Sequence, residues 1–81
     1  MDREEQLLTH ITSNPKVLAG KPTIRGLRIS VEQIVRAVAA GVSENDLLAD
    51  HPFLERDDIR AALLYAAKTV ANEEVVGVAT Q

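Results

Sequence analysis

The sequence predicts a small, mainly α-helical domain that begins with a β-hairpin. Apolar residues recur at helical spacing from residue 31 onward, whereas prolines and glycines divide residues 14–29 into short extended pieces. The length of 81 residues allows one domain with one modest core. We therefore expect a single domain with a lead-in over 1–10, a basic β-hairpin region over 11–29, a three-helix unit over 30–72 and an apolar tail over 73–81.

Composition excludes several classes of protein. The chain has no cysteine, so it can form neither a disulfide nor a zinc-thiolate site, which fits a reducing cytoplasm. No apolar run approaches membrane-spanning length. The acidic start lacks a hydrophobic signal core. We therefore expect a cytoplasmic protein that does not associate with a membrane.

Charge is unevenly distributed along the chain. Residues 6–31 carry four cations and no carboxylate, while the other residues carry five cations against twelve acids. The four cations are Lys16, Lys21, Arg25 and Arg28. This pattern predicts either a solvated loop on an acidic protein or a basic arm that binds phosphates or acids.

A tight turn is expected within the basic region. Ile24 and Ile29 flank the sequence Arg25-Gly26-Leu27-Arg28, in which glycine suits a left-handed turn position. Upstream, the segment from Glu4 to His10 is either a short helix or a frayed lead-in.

Two helices follow the hairpin. Ser30 is a good N-cap for a helix over about residues 31–40, and Gly41 supplies its C-terminal stop. Ser43 opens a second helix of about two turns, which Pro52 ends. The short link between them suggests a helix-turn-helix or homeodomain-like unit.

The third helix is the longest. Glu55, Asp57 and Asp58 favour its N-terminus through the helix dipole. Its apolar stripe is rich in alanine and consists of Ile59, Ala62, Leu63, Ala66 and Val70. The small core, this stripe and the apolar tail, which holds Val75, Val76 and Val78, together predict a homodimer.

No catalytic, cofactor or metal site is expected. The segment Gly20-Lys21-Pro22-Thr23 differs from a phosphate-binding loop, because Pro15 stands where the first glycine should be and Pro22 separates the lysine from the threonine. Neither His10 nor His51 has a second histidine nearby to complete a metal site. We therefore predict a protein that is not an enzyme and has no small-molecule substrate.

Three motifs stand in a specific order. They are Pro15-x-x-x-x-Gly20-Lys21-Pro22-x-Ile24-Arg25-Gly26-x-Arg28-Ile29, then Gly41-x-Ser43, then Asp50-x-Pro52-x-Leu54-x-x-x-Asp58-Ile59-x-Ala61-Ala62-Leu63-x-Tyr65-Ala66. In these motifs the chain closely resembles the domain of unknown function 433 family. Many members of that family carry two glycines before the lysine, whereas this chain has Ala19-Gly20.

The resemblance implies a β-hairpin followed by a homeodomain-like helical bundle. It also implies a VapB-like antitoxin that neutralises a PIN-like ribonuclease toxin and autoregulates its operon. The toxin- or DNA-binding residues would be Lys16, Lys21, Arg25 and Arg28. Alternatively, Arg25 and Arg28 pair with acids on the chain's own helices.

Two other functions stay open. One is a stand-alone DNA-binding regulator, although the acids at the start of the third helix are poor chemistry for a DNA groove. The other is a non-catalytic dimerisation module. The affinity for operator DNA should fall steeply as the salt concentration rises, while the affinity for a toxin through a contact with an apolar centre should fall less.

Overall fold

The computed structural model describes residues 2–72. In chain order the elements are α1 (Arg3–Leu8), β1 (Ile11–Thr12), a 3-10 turn (Leu18–Gly20), β2 (Thr23–Ile24), α2 (Val31–Ala39), α3 (Glu44–Asp50) and α4 (Arg56–Ala71). This confirms a mainly helical domain with a small antiparallel sheet, while the homeodomain-like arrangement stays a prediction. The lead-in forms helix α1, and the predicted apolar tail lies outside the described residues.

The predicted helix boundaries agree with local capping chemistry. The Ser30 hydroxyl accepts a hydrogen bond from the Gln33 amide at 3.0 Å at the start of α2. The Ser43 hydroxyl accepts one from the Asp46 amide at 3.1 Å at the start of α3. Gly41, just beyond α2, has a φ of +90°, which a side chain would strain.

Helix α4 is central to the packing and lies against both α1 and α2. The main core cluster consists of Ile24, Val31, Ile34, Leu47, Leu54, Ile59 and Ala62. The predicted α4 stripe is correct for Ile59 and Ala62 but wrong for two of its members, because Leu63 is 38% exposed and Val70 is 58% exposed. The buried face of α4 is narrow and instead includes Ala61 and Asp58.

The hairpin region combines a short sheet with a tight turn. Strands β1 and β2 are antiparallel, with Ile11 opposite Ile24 and Thr12 opposite Thr23. After β2 the Leu27 amide donates to the Ile24 carbonyl at 2.7 Å, across Arg25 at φ +46° and Gly26 at φ +74°. Two left-handed central residues are typical of a type I′ turn. The turn is therefore where the sequence predicts it, but β2 pairs mainly with the upstream strand β1.

Within residues 2–72, no helix combines the length and the apolar character that crossing a bilayer requires.

A second left-handed segment precedes β2. Leu18, Ala19 and Gly20 have φ values of +47°, +55° and +81°. Left-handed backbone costs a residue with a side chain about 1 to 2 kcal/mol, whereas glycine adopts it without that cost. Ala19 is therefore strained.

We predict that Ala19→Gly stabilises the protein by up to about 1 kcal/mol, because it removes the left-handed strain. Thermal unfolding should show a midpoint a few degrees higher. Ala67, an exposed residue inside α4, is the matched control. Ala67→Gly should lower the midpoint, since glycine inside a helix costs about 1 kcal/mol. Equal destabilisation by both substitutions would contradict the prediction.

Candidate functional site

A fully buried carboxylate lies where the hairpin meets α4. The Asp58 side chain has no solvent exposure, yet it is in the first turn of α4 and carries a charge. Burial of a charged carboxylate lowers the stability of a protein unless the carboxylate is paired and hydrogen-bonded. The surroundings of Asp58 meet this requirement with four donors.

Arg25 supplies two of the four donors. Its Nε donates to Asp58 Oδ1 and its Nη2 donates to Asp58 Oδ2, both at 2.9 Å. This is the bidentate geometry that a guanidinium makes with a carboxylate. Arg25 Nη2 also donates to the Phe53 carbonyl at 2.7 Å. The alternative that hairpin arginines pair with acids of the helices is therefore confirmed for Arg25.

His10 and a backbone amide supply the other two donors. His10 Nδ1 lies 2.6 Å from Asp58 Oδ1, and the Glu55 amide donates to Asp58 Oδ2 at 2.8 Å. Because a carboxylate only accepts, the hydrogen in this contact is on His10 Nδ1. Asp58 thus has two donors on each oxygen, which uses all of its lone-pair sites.

Sheet register brings the two side chains to the same carboxylate. Ile11 lies opposite Ile24, so the next pair along the ladder is His10 and Arg25. The Arg25 amide indeed donates to the His10 carbonyl at 2.8 Å. His10 has no signal in the sequence that would connect it with Asp58, 48 residues away.

The hydrogen bonds outweigh the effect of burial on Asp58. Burial by itself would raise the pKa of this carboxyl, but the bonds from Arg25, His10 and the Glu55 amide hold its pKa below the ordinary 3.8. The bond to Asp58 correspondingly raises the pKa of Arg25. Asp58 is therefore an anion at neutral pH, and Arg25 is its counter-ion.

Among residues 2–72, one group has ligand atoms close enough together to hold a metal ion. His10, Glu55 and Asp58 offer atoms within 4.8 Å of one another. Both Asp58 oxygens already accept hydrogen bonds from Arg25, so a cation would have to displace the guanidinium. The geometry thus favours an ion pair here, and the lack of a metal centre stays a prediction.

The other three predicted site residues make no hydrogen bond or ion pair with Asp58. Lys21 is exposed and its Nζ lies 3.2 Å from Glu32 Oε1, an exposed pair of little strength. Lys16 and Arg28 are exposed, and neither side chain has an ion pair or hydrogen bond with another residue that the structure describes. Of the four predicted residues, Arg25 is therefore the one that bonds to Asp58.

We predict that Asp58→Ala destabilises the protein by about 3 kcal/mol, because it removes one partner of a buried ion pair. Asp57, in the same helical turn, is the matched control: it pairs with Arg3 and Arg60 at the surface, so Asp57→Ala should change the unfolding midpoint little. Chemical denaturation of both variants measures the difference. An equal loss of unfolding free energy in both variants would show that the interaction with the helix dipole, and not the buried pair, accounts for the stabilisation.

The same pair predicts a signed pH dependence. Because folding lowers the Asp58 pKa, its stabilisation is present above the ordinary pKa and is lost as pH falls through the lower, folded value. The stability difference between the wild type and Asp58→Ala should therefore shrink below about pH 4. Denaturation curves from pH 7 to pH 2 measure this, and a constant difference would contradict it.

Lysine substitution should affect the stability of the protein differently at the two hairpin arginines. Arg25→Lys keeps the charge but loses the bidentate geometry and the bond to Phe53, which should cost about 1 to 3 kcal/mol of stability. Arg28→Lys should leave the thermal midpoint unchanged, because Arg28 makes no such bonds in residues 2–72. Thermal melts of both variants test this, and similar midpoints would contradict it.

The chain is similar to known proteins over most of its length. Residues 11–66 match a family model described as "Protein of unknown function (DUF433)". The "Uncharacterized protein y4eO" of Sinorhizobium fredii is 41% identical over 56 residues, which are 69% of this chain and 25% of that protein. The crystal structure of a DUF433 member protein from Anabaena variabilis is similar with a TM-score of 0.73 at 31% identity, over 83% of this chain and 66% of that one. This chain thus spans a quarter of the first relative and just under two thirds of the second. The hairpin turn, Asp58 and most of α4 all fall within the matched residues, and the chain belongs to the DUF433 family.

Proposed function

We propose that this domain is a non-catalytic, antitoxin-like protein that binds and neutralises a PIN-like ribonuclease toxin. The observation that carries the proposal is the exposed pair of cations, Lys16 and Arg28, in a region without acids on an otherwise acidic chain. Neither side chain is neutralised by a residue that the structure describes. Their charge is therefore available to an acidic partner.

The chemistry of a PIN-like nuclease suits such a surface. These enzymes depend on clustered carboxylates that hold magnesium or manganese. A guanidinium matches a carboxylate with two parallel hydrogen bonds. Arg28 is the arginine of the hairpin region that is free for this contact, whereas the Arg25 guanidinium is used inside the domain by Asp58. We therefore leave Arg25 out of the proposed toxin contact.

Operator DNA is the second proposed partner, through the same basic region. The segment without acids favours DNA binding, but three features limit the affinity that α4 could contribute. The start of α4 carries the surface acid Asp57, Arg56 Nη2 donates to Asn45 Oδ1 at 2.7 Å, and Arg60 Nη1 donates to Asp57 Oδ1 at 3.3 Å. Helix α4 therefore has little free charge for phosphates, and DNA contacts would depend on the hairpin cations.

A homodimer belongs to the same proposal. An apolar groove of about 310 Å³ lies between α2 and α4, and Val70 forms part of its wall although its side chain is 58% exposed. A two-fold axis beside α4 would insert Val70 of each copy into the groove of the other. Such a dimer would double the exposed hairpin cations.

The test uses the PIN-like protein encoded nearest to this gene. Calorimetry with the intact chain should show binding, and Arg28→Ala should weaken it about five- to 150-fold, the equivalent of about 1 to 3 kcal/mol. Arg36, an exposed arginine on α2, is the charge-matched control, and Arg36→Ala should change affinity less than twofold. Light scattering of the free protein should give the mass of two copies.

Two outcomes would contradict the proposal. The first is no binding and no inhibition of the nuclease. The second is binding to operator DNA instead, recognised by a steep fall in affinity between about 50 and 200 mM salt.

A further inference from the structure

A small cleft lies beside the buried ion pair, between the end of the hairpin turn and the loop that links α3 to α4. Its volume is about 200 Å³. The hairpin side is formed by Leu27, Arg28 and Ile29, and the loop side by Asp50, His51, Pro52 and Phe53. The cleft thus combines an apolar floor with charged side chains of both signs.

Phe53 is the unusual member of this cleft. Its side chain is 78% exposed, the highest value among the large apolar residues of residues 2–72 that are at the surface. Its backbone is held at the same time: the Phe53 carbonyl accepts a hydrogen bond from Arg25, and the next residue, Leu54, is buried in the core. An aromatic ring on a fixed backbone needs little ordering on binding.

Arg28 lies on the opposite wall, without a partner among the described residues. Aromatic side chains, including Phe, and arginine are enriched in protein–protein interfaces relative to the rest of the surface. The unpaired guanidinium selects a carboxylate, and the apolar surface of Phe53, Leu27 and Ile29 selects an apolar side chain. Asp50 in the same cleft repels an acid placed near it.

The volume of the cleft favours a single protein side chain over a small molecule as its occupant. Pockets for small molecules usually measure about 300 to 1,000 Å³, and this cleft is smaller. It has room for one large side chain of a partner. We infer that the cleft between Arg28 and Phe53 is the docking site for a protein segment with a large apolar residue next to an aspartate or glutamate. This inference rests on the proposed function, since it assigns the surface that captures the partner.

The first experiment measures affinity of the intact chain for the PIN-like protein encoded nearest to its gene. Phe53→Ala should weaken binding at least tenfold without lowering the thermal midpoint, because the ring is exposed. Asp50→Asn should strengthen binding a few fold, because it removes a repulsive charge. Val38, an apolar residue on α2 that is 37% exposed, is the matched control, and Val38→Ala should leave affinity within twofold.

The second experiment does not need the PIN-like protein. The full chain is titrated with the blocked peptide Asp-Glu-Leu-Asp-Glu and separately with Lys-Lys-Leu-Lys-Lys, while amide NMR shifts are recorded. The acidic peptide should shift the amides of residues 27–29 and 50–53, the basic peptide should not, and Phe53→Ala should abolish the shifts.

The two experiments distinguish a failure of the cleft as docking site from a failure of the proposed function. Strong binding of the PIN-like protein that Phe53→Ala leaves within twofold overturns the cleft and leaves the proposed function standing. Peptide shifts in the cleft without any binding of the PIN-like protein support the cleft and overturn the proposed function. If the peptide produces no shifts and no partner affinity depends on Phe53, the inference is wrong.

Discussion

The buried carboxylate of Asp58 is the constraint on which the other parts of this fold depend. Its four donors come from the residue before β1, the turn after β2 and the N-cap residue of α4. Through Arg25 it also reaches the loop at Phe53. A buried charge that loses one donor keeps its full desolvation cost, so these contacts stabilise the domain as a set. One ionised side chain thereby joins the hairpin to the helices.

The turn at Arg25 illustrates how this constraint acts on the backbone. Arg25 has a φ of +46°, a conformation that is unfavourable for a residue with a side chain. Such conformations persist where the surroundings over-determine them. Here the surroundings are two bonds to Asp58, one to the Phe53 carbonyl and one from the Arg25 amide to His10. These bonds therefore hold Arg25 in its strained conformation.

The two arginines of the hairpin region, Arg25 and Arg28, differ in their surroundings. Arg25 and Arg28 are three residues apart, yet one is bound to a buried anion and the other faces solvent beside Phe53. Arg25 also connects the two sides of the cleft between Arg28 and Phe53, since it belongs to the hairpin turn on one side and bonds to the Phe53 carbonyl on the other. The buried pair thus positions the hairpin turn and the loop at Phe53 relative to each other.

The sequence by itself determined the features that short-range chemistry controls. Serine caps at Ser30 and Ser43, the stop at Gly41 and the left-handed turn at Gly26 each depend on a few neighbouring residues, so local rules predict them. The motifs likewise identified the family. Tertiary structure decided which acid pairs with Arg25, because Glu55, Asp57 and Asp58 look alike in sequence and only the helix rotation buries Asp58. It also recruited His10, which no nearby pattern indicates, and left Leu63 and Val70 exposed although they follow the apolar period. These outcomes depend on how distant elements pack against one another, and a pattern along the chain contains no such information.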